Sequence, residues 1–192
     1  MLPLLLASGS VYRRELLARL QLPFTCSSPD IDESHRPGES AIALVKRLAE
    51  EKARALATSH TAHLIIGSDQ VAVLGERIIG KPHTFERARE QLLAASGASV
   101  TFLTGLALLN SPTGHCQVDC VPFTVHMRTL DAPRIERYLD TEQPYDCAGS
   151  FKAEGPGVSL FRSTEGPDAT SLIGLPLIRL IDMLLAEGVQ IP

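Results

Sequence analysis

An α/β domain with a mixed sheet is the fold this sequence predicts, and three observations carry it. Short apolar runs ending in small residues, at 2–7 and 63–67, read as buried strands. Segments with apolar residues three and four apart, at 10–22 and 40–58, read as amphipathic helices. Two longer strand-like stretches, 99–109 and 115–127, are joined by the turn residues Asn110-Ser-Pro-Thr-Gly114. Strands and helices mixed in this order imply a sheet covered by helices.

Each element has a local reason. Ser10 can cap the helix that follows the first strand, and Leu16, Leu17 and Leu20 form that helix's apolar stripe. A short strand near 24–27 opens into a polar loop holding Asp30, Asp32 and Glu33. The helix of 40–58 carries Ala41, Leu44, Val45, Leu48 and Ala49 at helical spacing. Residues 71–74 and 77–79 read as a hairpin turning at Gly75-Glu76. A helix around 85–96 precedes the two long strands, and another at 132–141 precedes a glycine-rich segment at 147–157. The last helix starts near Pro176, where a first-turn proline is tolerated, and stops at Gly188.

Length and composition bound the function. A chain of 192 residues fits one domain, or two lobes sharing a sheet. The apolar fraction of 44% with 21% charged residues excludes a disordered or fibrous protein. The apolar start at 1–8 lacks a basic lead-in and is too short for a signal peptide. No run reaches the roughly 20 apolar residues that span a bilayer, so a cytoplasmic location is expected and no membrane partner. Cys26, Cys116, Cys120 and Cys147 show neither metal-ligand spacing nor a disulfide framework and read as reduced thiols. A net charge of −4 argues against a nucleic-acid surface, so an anionic substrate would need a local positive patch.

Four places could do chemistry. Ser8-Gly-Ser10 joins a strand to a helix, where free backbone N–H groups make a ready anion site. Arg13 and Arg14 sit in that helix's first turn against the dipole, which makes most sense beneath an anion; the alternative is a plain helix start with surface arginines. Lys52 continues the apolar stripe of its helix, and either snorkels or points into a polar cleft. Asp69 follows an apolar strand at the position of a strand end, where it could activate water, hold a metal, or simply cap a turn. Lys81, held in Gly80-Lys-Pro82, suits a phosphate or the open surface equally. The six histidines show no metal spacing.

These pieces belong to longer motifs. They are Leu6-Ala-Ser-Gly-Ser-Val-Tyr-Arg-Arg-Glu-Leu-Leu17, Asp32-Glu33, Glu51-Lys-Ala53, Gly67-Ser-Asp-Gln70, Gly80-Lys-Pro82, Ala148-Gly-Ser-Phe-Lys-Ala-Glu-Gly155 and Gly174-Leu-Pro176. In that order, over nearly the whole chain, they resemble the Maf family of nucleotide pyrophosphatases. Val11 departs from the family's usual proline, which only presets the first helical turn.

The resemblance implies a two-lobed Maf/ITPase-like α/β fold over residues 1–192, with a long mixed sheet and a nucleotide cleft between lobes. It implies metal-dependent cleavage of a nucleoside triphosphate between its α- and β-phosphates, with a divalent cation of the magnesium or manganese type, and leaves room for a homodimer. Carried onto this sequence, Asp69 stands as proton acceptor, and Ser8, Ser10, Arg13, Arg14, Lys52 and Lys81 as the phosphate shell. Glu33 stands as metal partner. Within the family, Ser68-Asp-Gln70 and Phe151-Lys-Ala-Glu154 look like the branch preferring 7-methyl-GTP over the branch acting on dTTP and UTP, with Tyr12, Gln70 and Glu154 setting specificity. Two other classes compete: a nucleotide-sensing regulator of cell division without turnover, and a nucleotidyltransferase, whose N-terminal loop the Leu-Ala-Ser-Gly-Ser stretch is similar to.

Overall fold

The computed structural model describes residues 2–191. The chain runs through β1 (Leu4–Ala7), α1 (Val11–Ala18), β2 (Phe24–Ser27), α2 (Ala41–Ala55), β3 (Leu64–Leu74), β4 (Arg77–Ile79) and α3 (Phe85–Ala95). It continues through β5 (Ser99–Asn110), β6 (Cys116–Met127), α4 (Ala132–Glu142), β7 (Phe161–Glu165), α5 (Ala169–Ile173) and α6 (Leu177–Ala186), with two 3₁₀ turns at Ala148–Ser150 and Pro156–Leu160. The seven strands form a mixed sheet in the order β2-β1-β3-β5-β6-β7, with β4 paired to β3. The chain packs as two compact units. One comprises Met1–Gln70, Thr104–Val121 and Asp168–Pro192, the other Val71–Leu103 and Pro122–Pro167.

In the first unit, β1 pairs in parallel with both β2 and β3. Both faces of these strands are covered, so they are apolar on both sides and side-chain parity decides which helix each residue meets. Leu4, Leu6, Leu64 and Ile66 pack with Leu16 and Leu17 of α1 and with Leu180, Met183 and Leu184 of α6. Leu5, Ala7 and Ile65 pack instead with Ala49 and Ala53 of α2 and with Leu56. Two glycines let α2 sit low on that second face. A β-carbon at Gly67 would lie 2.0 Å from the Ala49 carbonyl oxygen, and one at Gly105 would lie 2.0 Å from that of Val45.

The start of α6 has no side-chain cap of its own, because Pro176 occupies the N-cap. Asp168 and Thr170 supply one from α5: Asp168 Oδ2 accepts from the Ile178 N–H at 2.8 Å and Thr170 Oγ1 from the Leu177 N–H at 2.9 Å. In the second unit, β3 and β4 form the expected antiparallel hairpin around Gly75. There β6 pairs antiparallel with β7, α3 packs on α4, and Phe102, Phe151 and Phe161 stack edge to face.

The structure departs from the sequence-based expectation at three places. The strands expected at 63–67 and 71–74 are one continuous strand, so Asp69 lies in the middle of β3 and not at a strand end. Gly67-Ser-Asp-Gln70 carries turn-type residues, yet each polar side chain finds a partner on its own face and the backbone stays extended. Strand β7 and helix α5 were not anticipated: β7 is a polar edge strand, and α5 is only five residues long. The first two helices stop at Ala18 and Ala55, three or four residues short of expectation. Among the described residues, no helix is long and apolar enough to cross a membrane.

Candidate active site

At the end of β1, Ser8 is buried, and its Oγ accepts from the Ser10 N–H at 3.1 Å. Ser10 then caps α1, accepting from the Arg13 N–H at 3.4 Å. Two hydroxyls and a bare Gly9 thus shape the junction, beside a pocket of ≈ 180 Å³ whose lining includes Ser8, Gly9, Ser10 and Arg14. Arg14 is exposed. Arg13 is half-buried and donates its Nε to the Gly174 carbonyl at 2.8 Å. Neither of its Nη atoms has a hydrogen-bond partner among the described residues. Burial pulls the Arg13 guanidinium below its ordinary value, and the Asp69 and Glu33 carboxylates act in the opposite direction. A guanidinium with both Nη groups unspent is suited to bidentate binding of an anion.

Lys52 lies on the core-facing stripe of α2 and is only 7% exposed. It does not snorkel. Parity sends Asp69 to the α2 face of β3, and Lys52 Nζ meets Asp69 Oδ1 at 2.7 Å and Glu33 Oε1 at 2.9 Å. A buried cation demands such pairing, and its place in the last turn of α2 also suits the helix dipole. The Asp69 side chain is nearly as buried as that of Lys52, whereas Glu33 is 58% exposed. Asp69 Oδ2 makes no hydrogen bond among the described residues and remains available to a ligand or water.

Glu33 is placed by a clamp that sequence reasoning missed. Arg47 engages Glu39 through Nε at 2.6 Å and Nη2 at 2.8 Å, Glu51 at 3.0 Å and the Ser34 carbonyl at 3.0 Å. The i,i+4 spacing of Arg47 and Glu51 was the one visible signal. The Arg47 fork holds the Glu39 carboxyl down to about 2, from 4.5. A depressed folded-state value means that the clamp's contribution is complete above about pH 4.5 and fades as pH falls toward 2. Wild type should therefore outlast Glu39→Gln in urea by a constant margin above that window, and the margin should vanish through it. A margin unchanged down to pH 2 would contradict the clamp.

Ser68 and Gln70 share the opposite face of β3. Gln70 Nε2 donates to the carbonyls of Ser171 at 2.7 Å and Leu172 at 3.2 Å and to Thr104 Oγ1 at 2.9 Å, which fixes the amide and turns Oε1 away from these acceptors. Tyr12 is half-buried in the first turn of α1. Lys81 and Glu154 belong to the second unit and are both exposed. Just before Glu154 the backbone is held by Tyr138, whose Oη accepts from the Lys152 N–H at 3.0 Å. All four cysteines are free thiols, and burial pushes Cys147 up to about 12 and Cys116 to about 11, so neither is poised as a nucleophile. No group of three His, Cys, Asp or Glu side chains capable of holding a metal occurs among the described residues.

Fold and site together define an α/β protein that joins a buried lysine to two carboxylates, whose charge also acts on Arg13 at a strand-to-helix junction. The chain belongs to the Maf family: the description Maf-like protein matches residues 3–187. A protein of Pseudomonas fluorescens (strain Pf0-1) named 7-methyl-GTP pyrophosphatase is 89% identical over 192 residues, covering 100% of each chain. A protein of the same name from Pseudomonas aeruginosa is 71% identical over 189 residues, 98% of each. The fold is shared with a HAM1 protein from Coxiella burnetii, with a TM-score of 0.54 at 15% identity over 97% of this chain and 100% of that one.

Proposed function

We propose that this chain hydrolyses 7-methyl-GTP to 7-methyl-GMP and pyrophosphate. The observation that carries the reading is the Lys52–Asp69–Glu33 group beside an Arg13 whose two Nη atoms are unspent. The similarity to relatives carrying the 7-methyl-GTP pyrophosphatase name supports the choice of substrate. A triphosphate brings about four negative charges, and its hydrolysis needs those charges neutralised and one water activated.

The roles follow from chemistry. Asp69 Oδ2 accepts a proton from a water whose oxygen attacks one of the two phosphorus atoms flanking the scissile oxygen. The new P–O bond forms, the bond between the α- and β-phosphates breaks, and its electron pair leaves with the departing oxygen. Lys52 stands against both Asp69 and the phosphate charge, Arg13 binds phosphate oxygens through Nη1 and Nη2, and Ser8 and Ser10 line the junction. Arg14 and Lys81 complete the proposed phosphate shell.

A divalent cation fits this donor set. Glu33 and Asp69 are brought to one ammonium and each keeps a carboxylate oxygen unspent by it, and a magnesium-type ion needs only one or two carboxylates besides water and substrate phosphates. When bound, such an ion would polarise phosphoryl oxygens and offset their charge.

Base preference is assigned to Tyr12, Gln70 and Glu154. Methylation at N7 makes guanine cationic, so a stacked Tyr12 gains roughly 0.5–2 kcal/mol of cation–π attraction. Glu154 can accept both the N1–H and the exocyclic amine of guanine, and Gln70 offers Oε1 as a further acceptor. Uracil and thymine cannot present that pair of donors and would leave the carboxylate partly unpaired. The deciding measurement is pyrophosphate release from 7-methyl-GTP, GTP, UTP and dTTP by wild type and Glu154→Ala, with metal and no other acceptor. Wild type should favour 7-methyl-GTP in kcat/KM, and the variant should lose that preference. Equal or better use of UTP would place the chain in the other branch, and no turnover at all would leave a nucleotide sensor.

A further inference from the structure

The alternation of β3 puts Ser68 on the face opposite Asp69, against α5 and the turn after it. Ser68 is 0% exposed, and its one hydroxyl proton is shared between two carbonyls, those of Gly105 and Gly174, each at 2.9 Å. The Gly174 carbonyl also receives Arg13 Nε at 2.8 Å, so one oxygen joins the centre of β3 to the guanidinium. Gly174 has φ 123°, where side chains are rarely tolerated, and a β-carbon there would stand 3.4 Å from Arg13 Nε and 3.8 Å from Nη2. The glycine is required there by its backbone conformation, and the Arg13 side chain packs against the turn at ordinary contact distance. Thr104 and Gln70 hold the Ser171 carbonyl of α5, just before that turn, and Asp168 ties the start of α5 to that of α6 through Thr170 and Ile178. With Nε fixed, the planar guanidinium has its two Nη groups fixed as well.

We propose that Ser68 is a positioning residue for phosphate binding: its hydroxyl sets the Gly174 carbonyl, which in turn aims both Nη groups of Arg13 at one anion. The proposal rests on the reading of Arg13 as a phosphate ligand. Asp69 supplies the chemistry on one face of β3, and the residue before it orients the binding cation from the other.

The test is a double-mutant cycle on the full chain, reading the affinity for inorganic tripolyphosphate by calorimetry, with kcat and KM for the nucleotide alongside. Ser68→Ala should weaken tripolyphosphate by roughly three- to tenfold, the size expected for one lost hydrogen bond. Arg13→Ala should weaken it at least as much. In the Arg13→Ala background, Ser68→Ala should add less than about a twofold further loss, because its route to the anion is already gone. Equal losses from Ser68→Ala in both backgrounds would overturn the proposal, since Ser68 would then act without Arg13. Unchanged binding in Arg13→Ala would instead remove Arg13 from the phosphate shell, which is a failure of the functional reading and separately recognisable. Should Ser68→Ala not fold, Ser68→Cys, close in size and a weak donor, takes its place in the cycle. Failure of both to fold would leave Ser68 a purely structural residue and end the proposal.

Discussion

Asp69→Asn is expected to lower turnover by about 10²–10⁴-fold, the usual worth of a positioned proton acceptor. The substitution is nearly isosteric, and an amide oxygen can still accept from Lys52 Nζ, which keeps Glu33 as its charged partner. The melting temperature should therefore move little while kcat collapses. Lys52 lies between a carboxylate on the strand and one on the loop, so removing the charge at Asp69 does not strand the buried ammonium. Single-turnover measurements on 7-methyl-GTP are the appropriate readout, because they isolate chemistry from product release. A variant keeping more than about a third of the wild-type single-turnover rate would remove Asp69 from the role of proton acceptor.

Gly67→Ala should be among the most damaging of the small substitutions. The added methyl would meet the Ala49 carbonyl at 2.0 Å, a contact with helix backbone that no side-chain rotation relieves. Either α2 lifts from the sheet or β3 bows. Both break the packing of Ala49 and Ala53 against Leu5 and Ile65 and pull Lys52 from Asp69. A loss on the order of 3 kcal/mol or more is expected, at the upper end of overpacking effects. Gly80→Ala is the control, since nothing lies within 4 Å of a β-carbon there and the backbone suits any residue. Urea unfolding of the two variants checks the geometry. Near-wild-type stability in Gly67→Ala would mean that α2 does not rest on β3 as described.

The fold class and most elements were legible in the sequence because their causes are local. Apolar residues at helical spacing marked α1 and α2, Ser10 marked the start of α1, and Gly75 marked the β3–β4 turn. Each depends on residues within a few positions of one another. The motif order likewise pointed to the Maf family, to which the chain belongs. What local reasoning missed was short or polar. Strand β7 takes its partner from β6 and has little apolar pattern of its own, and α5 depends on the cap that Asp168 provides.

The sequence by itself determined that Lys52 lies on the buried stripe of a helix, that Asp69 comes just after an apolar run, and that Arg13 opens a helix against its dipole. Only the tertiary structure decided what these groups do to one another. Lys52 finds Asp69 from 17 residues away because Gly67 and Gly105 admit the helix, and parity turns the carboxylate toward it. Arg13 is held by a carbonyl 161 residues along the chain, which Ser68 holds in turn. Arg47 reaches back to Glu39 and so fixes the loop bearing Glu33. Periodicity states which face a side chain takes, but the partner on that face is set by how closely two backbones approach. That approach is the combined outcome of packing along the whole chain, so no single stretch of sequence records it.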